Sequence, residues 1–146
     1  MTPFERDVRA AVYAAFRDAG AAPTPATLAT TLDTTTGAVT VALRALADEH
    51  DVVLEADGAS ILMAHPFSSG PTDFKVSIDA RRWWASCAWD GLTIVALFGG
   101  SGRLETHSPA TGEPLTFDVE DGSVRGEGLI HFLVPAARFW DDICHT

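Results

Sequence analysis

Cys87 and Asp90 stand three residues apart in the run Arg81-Arg82-Trp83-Trp84-Ala85-Ser86-Cys87-Ala88-Trp89-Asp90. The residues from Cys87 to Phe98 are mostly apolar and read as a helix, closed by Gly99-Gly100-Ser101-Gly102. Side chains three apart on a helix share a face, so this thiol and this carboxyl group can reach one ligand. A thiol near a helix N-terminus also meets the positive end of the dipole, which favours the thiolate. The pair would then offer a soft anionic sulfur, suited to a soft metal ion, beside a group able to carry a proton. On spacing alone, a packed structural cysteine is the simpler reading, because free cysteine is among the most buried residue types.

The elements that must position this pair can be read from periodicity. Phe4, Val8, Ala11, Val12, Ala15 and Phe16 predict a helix over residues 3–19, ended by Gly20. Thr24 and Pro25 are the cap and first residue of a second, short helix. A third follows Asp33-Thr34-Thr35-Thr36, with Val39, Leu43 and Leu46 as its apolar stripe. Two strand-like runs, Val52-Val53-Leu54 and Ser60-Ile61-Leu62-Met63-Ala64, flank the hairpin signal Asp57-Gly58. Residues 66–72 are dense in Pro, Gly and Ser and read as a linker between an N-terminal unit, 1–65, and a core unit, 73–146. In the second unit Phe74–Ile78, Arg103–Ser108, Leu115–Val119 and Gly128–Val134 read as strands, and Pro135–Trp140 as a helical turn. The fold class is α+β: a three-helix, winged-helix-like part, then a mixed sheet carrying the cysteine-bearing helix.

Three helices and a hairpin are also the order of a DNA-reading winged helix, whose third helix would enter the major groove. That helix offers Arg44 and no lysine, and it ends in Asp48 and Glu49. The whole chain has 10 basic and 20 acidic side chains, a net charge of −10 over 146 residues. Phosphate contacts need basic clusters, so neither nucleic acid nor an anionic membrane is expected as a partner. No apolar run reaches the ~18 residues of a membrane span, and the charged N-terminus lacks the order of a signal peptide. A cytoplasmic location is expected, with both cysteines, Cys87 and Cys144, kept as thiols.

Over Phe74 to about Asp118 the chain resembles the organomercurial (alkylmercury) lyases. An aromatic pair precedes Ala85-Ser86-Cys87-Ala88-Trp89-Asp90, and an apolar helix then ends in glycine. Further on, Thr106-His107-Ser108-Pro109-Ala110-Thr111-Gly112-Glu113-Pro114-Leu115 is similar to the family's Ser-His-x-x-Ala-Thr-Gly-x-Pro segment. The resemblance implies a first thiolate on Cys87, a proton-shuttling carboxylate on Asp90, and a second thiol for which Cys144 is the candidate. The family's second cysteine precedes a final apolar strand, whereas only His145 and Thr146 follow Cys144 here. The resemblance implies no cofactor, an organomercurial as substrate, mercury(II) as product or bound ion, and small thiols as co-reactants.

The remaining candidates read as supporting residues. His107 and Ser108 belong to a loop, His131 to a core or sheet edge, and Asp141-Asp142 to a solvated turn. Trp83, Trp84, Trp89 and Trp140 read as core and pocket walls suited to an apolar organic group. His145, beside Cys144, could assist a soft metal. Three functions therefore stand side by side: carbon–mercury cleavage, capture of a soft metal such as mercury or copper without turnover, and transcriptional regulation through residues 1–65.

Overall fold

The computed structural model describes residues 1–144. Helix α1 (Pro3–Ala19) begins in a capping box: Thr2 accepts from the Glu5 amide, and the Glu5 carboxylate accepts from the Thr2 amide. Val8, Val12 and Phe16 recur every four residues, and all three are fully buried. Gly20 ends the helix at φ +68°, and a Cβ there would lie 2.7 Å from the Arg82 carbonyl oxygen. Both the left-handed turn and the close approach call for glycine. Helices α2 (Pro25–Thr31) and α3 (Thr36–Asp48) start on the hydroxyl caps Thr24 and Thr35. The buried Val39, Ala42, Leu43 and Leu46 line the inner face of α3.

One eight-stranded sheet follows. Its strands are β1 (Val53–Leu54), β2 (Ile61–Ala64), β3 (Phe67–Ser68), β4 (Lys75–Ile78), β5 (Arg81–Ala85), β6 (Gly102–His107), β7 (Pro114–Glu120) and β8 (Ser123–Arg125). Their spatial order is β1-β2-β3-β5-β4-β6-β7-β8. The α+β class holds, and every pairing is antiparallel, where the sequence suggests a mixed sheet. Parallel neighbours need crossovers of a dozen or more residues, and most connections here are too short. Residues 66–72 are not a bare linker. They carry β3, whose Phe67 and Ser68 are buried, and the Phe67 ring stacks on Phe16 of α1 at 5.3 Å.

Helix α4 (Ala88–Leu97) lies against β4, β5 and β6. Gly91 sits so close to the sheet that a Cβ would come within 2.6 Å of Leu104. Ile94, Val95, Val76 and Leu104 are fully buried around this contact. The buried Trp83 of β5 stacks near Phe98 at 4.5 Å and donates from Nε1 to the Phe16 carbonyl at 2.8 Å. Helices, sheet and α4 thus share one apolar core.

Gly128–Val134, expected as a strand, is irregular. The chain leaves β8 at Gly126, with φ +152°, where a Cβ would meet the Thr116 carbonyl oxygen at 2.8 Å. It then runs over Phe117 without a strand partner. Alternation alone cannot make a strand where no neighbour offers a ladder. Leu129 is 97% exposed, and a 3₁₀ turn (Ala136–Asp141) follows.

Candidate active site

The turn between β5 and α4 builds the site. Ser86 leaves the strand, and Cys87 is the N-cap of α4, with extended φ −151° and ψ 178°. Its Sγ accepts from the Asp90 amide at 3.4 Å, the role a serine or threonine hydroxyl has in an ordinary cap. The same sulfur donates its proton to Asp90 Oδ2, also at 3.4 Å. Cys87 and Asp90 therefore meet as cap and third helical residue, which gives the proximity expected from their spacing. The thiol and the carboxyl group are in contact.

Their electrostatics differ from the expectation drawn from the dipole. A helix N-terminus lowers a thiol pKa by about half a unit. Burial acts the other way and is larger; the Asp90 amide lowers the value, the Asp90 charge raises it again, and the thiol stands at about 11. The resting form is the protonated thiol, hydrogen-bonded to the carboxyl group that can receive its proton.

The pair opens into a cleft of about 300 Å³. Ser86, Cys87, Trp89 and Asp90 form one wall. The opposite wall comes from the N-terminal part: Tyr13 of α1, His50 and Asp51 after α3, and His65 after β2. Phe132, Phe139, Trp140 and Ile143 close the third side. Trp140 stacks flat on His50 at 4.1 Å and meets the edge of His65 at 5.8 Å, while Phe132 packs edge-on to Trp89 at 6.4 Å and near Phe139 at 5.3 Å. The His65 Nδ1 lies 3.5 Å from Asp90 Oδ2. Two buried polar atoms of the lining, Ser86 Oγ and His65 Nε2, have no hydrogen-bond partner among the described residues.

Cys144 is exposed and is not among the residues lining the cleft, although its neighbour Ile143 is. His145 lies outside the described residues. The described residues contain no group of three His, Cys, Asp or Glu side chains spaced to hold a metal ion. His131 is exposed rather than a core residue, because its segment has left the sheet. The Thr106–Leu115 motif forms the turn joining β6 and β7, where Ser108 accepts from the Thr111 amide; it adds nothing to the cleft wall. Trp83 belongs to the core, Trp89 and Trp140 to the cleft. His50 and His65 were not singled out by sequence, since a histidine after a strand or helix has no signature of its own. No helix among the described residues is long and apolar enough to cross a membrane.

An antiparallel α+β fold with a capping thiol and a carboxyl group facing an aromatic cleft defines the class of protein. The family model described as alkylmercury lyase (MerB) matches residues 67–145, and the chain belongs to that family. A crystal structure of the mercury-bound form of MerB2 shares the fold with a TM-score of 0.68 at 24% identity. The match covers 86% of this chain and 60% of that one, so this chain spans less than two thirds of that neighbour's length.

Proposed function

We propose that this protein cleaves organomercurials by protonolysis, releasing a hydrocarbon and mercury(II). The observation that carries the reading is the 3.4 Å contact of the Cys87 thiol with Asp90 Oδ2 in the wall of an aromatic-lined cleft. Family membership and the mercury-bound neighbour support it.

The chemistry follows from that contact. Mercury in R–Hg–X is soft and prefers sulfur to oxygen. As Cys87 forms its sulfur–mercury bond, its proton passes to Asp90 and X⁻ leaves. A second thiolate then adds its electron pair to mercury and weakens the mercury–carbon bond. When that bond breaks, its electron pair stays on carbon, which takes the proton from Asp90 and leaves as R–H. Mercury(II) remains on two sulfurs, and Asp90 is again a carboxylate. The second sulfur is assigned to Cys144 or to a small thiol from solution.

The test uses phenylmercury acetate and an excess of a small thiol, with benzene as the readout. Release by the wild type, none by Cys87→Ser, and retained mercury binding without release by Asp90→Ala are expected. Equal release from Cys87→Ser, or none from the wild type, sinks the proposal. Tight uptake of mercury(II) without benzene would instead support capture without turnover. Cys144→Ser separates the two sulfur sources: unchanged release in excess thiol assigns the second sulfur to solution.

A further inference from the structure

The N-terminal part contributes one polar group that touches the reacting pair, and this contact has no counterpart in the motifs of the sequence. His65 follows β2, 25 positions before Asp90 in the chain. Its ring lies in the cleft wall with Nδ1 3.5 Å from Asp90 Oδ2, the oxygen that also receives the Cys87 proton. The residue is held at three points. The Tyr13 hydroxyl donates to its carbonyl at 3.1 Å, the ring packs edge-on against Trp140, and the following Pro66 is buried.

The tautomer follows from the surroundings. Nε2 is buried and has no partner among the described residues, so a proton there would be a donor shut away from any acceptor. A buried donor left without an acceptor is costly, and an unshared acceptor lone pair is the milder defect. A proton on Nδ1 instead stands 3.5 Å from Asp90 Oδ2, an ion-pair spacing longer than an ordinary N–H···O hydrogen bond but on the side of the acceptor near it. The preference is for Nδ1–H.

We propose that His65 is a positioning residue for Asp90: its Nδ1–H directs Oδ2 toward Cys87, so that the carboxyl group receives the thiol proton and keeps the orientation needed to hand it on. The proposal rests on the reading of Cys87 and Asp90 as the reacting pair. A carboxylate free to turn about its side-chain bonds spends part of its time off the thiol. A donor drawn onto Oδ2 from the cleft wall restricts that freedom. Partners of this kind change activity by about 10–100-fold when they are lost.

The experiment compares His65→Phe and His65→Asn with the wild type. Phenylalanine keeps a ring against Trp140 and removes the donor, whereas the asparagine amide places a donor near the position of Nδ1. The expected result is a fall in kcat of tenfold or more for His65→Phe with KM within twofold, and recovery to within about threefold by His65→Asn. A His65→Phe variant with wild-type kcat, or an asparagine variant as slow as the phenylalanine one, overturns the proposal. A second readout needs no turnover: nitrogen-15 NMR of the histidine ring reports which nitrogen carries the proton. His65 as Nδ1–H in the wild type, with the preference lost in Asp90→Ala, supports the contact, and a proton on Nε2 in the wild type overturns it. If the wild type releases no benzene, the lyase reading fails while the NMR result still decides the role of His65.

Discussion

At the scale of single residues, the site turns on where one proton rests. Cys87 has a pKa of about 11, against an ordinary value of 9.0. At pH 8 only about one molecule in a thousand carries the free thiolate, so uncatalysed alkylation is slow. Alkylation of Cys87 by iodoacetamide should rise about tenfold for each pH unit from 8 to 10 and level off only above 11; a plateau near pH 9 would contradict the burial argument. Asp90→Asn removes a charge that raises the thiol pKa, so Cys87 in that variant should alkylate faster at pH 8. The same shift has a sign for stability. A folded-state pKa above the unfolded one favours the protonated fold, so this contribution is present below about pH 9 and is lost as the pH rises through 11. Cys87→Ser should therefore show a shallower loss of stability in urea across that window.

At the scale of elements, helix α4 must sit tightly on the sheet for its first turn to aim the site. Gly91 permits this. Alanine there adds helix propensity worth about 1 kcal/mol, but its methyl group would press within 2.6 Å of the fully buried Leu104. Overpacking costs about 1–3 kcal/mol, so the net effect of Gly91→Ala is destabilising, and Gly91→Val should lower Tm further. A Tm raised by Gly91→Ala would show that the helix can move off the sheet without loss. The segment after β8 contributes the third side of the cleft. Phe132 packs edge-on to Trp89 while 40% exposed, so it lines the cleft more than it fills the core. Phe132→Ala should raise KM for a phenylmercury substrate more than for methylmercury, because only the flat ring uses the aromatic face. Equal changes for both substrates would count against that role.

At the scale of the molecule, the N-terminal helices and the later strands are parts of one packed body. Phe16 of α1 stacks on Phe67 of β3 and receives the Trp83 hydrogen bond, and the cleft takes walls from both parts. Urea unfolding followed by far-UV circular dichroism and by tryptophan fluorescence should give coincident transitions. Two separated transitions would favour independent units over residues 1–65 and 73–146. Trp83→Phe removes one of the two donors to the Phe16 carbonyl and should cost about 1–2 kcal/mol, read as a lower urea midpoint. The net charge of −10 predicts no retention of duplex DNA in a gel-shift assay, and a retained complex would reopen the regulatory reading.

What the sequence determined by itself is what neighbours along the chain decide. The capped start of α2, the start of α3, the span of α1, the α+β class and the nearness of Cys87 to Asp90 all depend on groups within about four residues of each other. Only the tertiary structure decided the rest. Within residues 66–72, Phe67–Ser68 became a strand whose Phe67 packs on Phe16, and Gly128–Val134 lost its strand because the chain turns away from the edge strand β8 at Gly126. Cys87 rests as a thiol because distant elements bury it, and Asp90 meets His65 because β2 ends and α4 begins at the same cleft. Desolvation and pairing are sums over everything close in space, and residues 25 positions apart carry no local pattern that announces their contact.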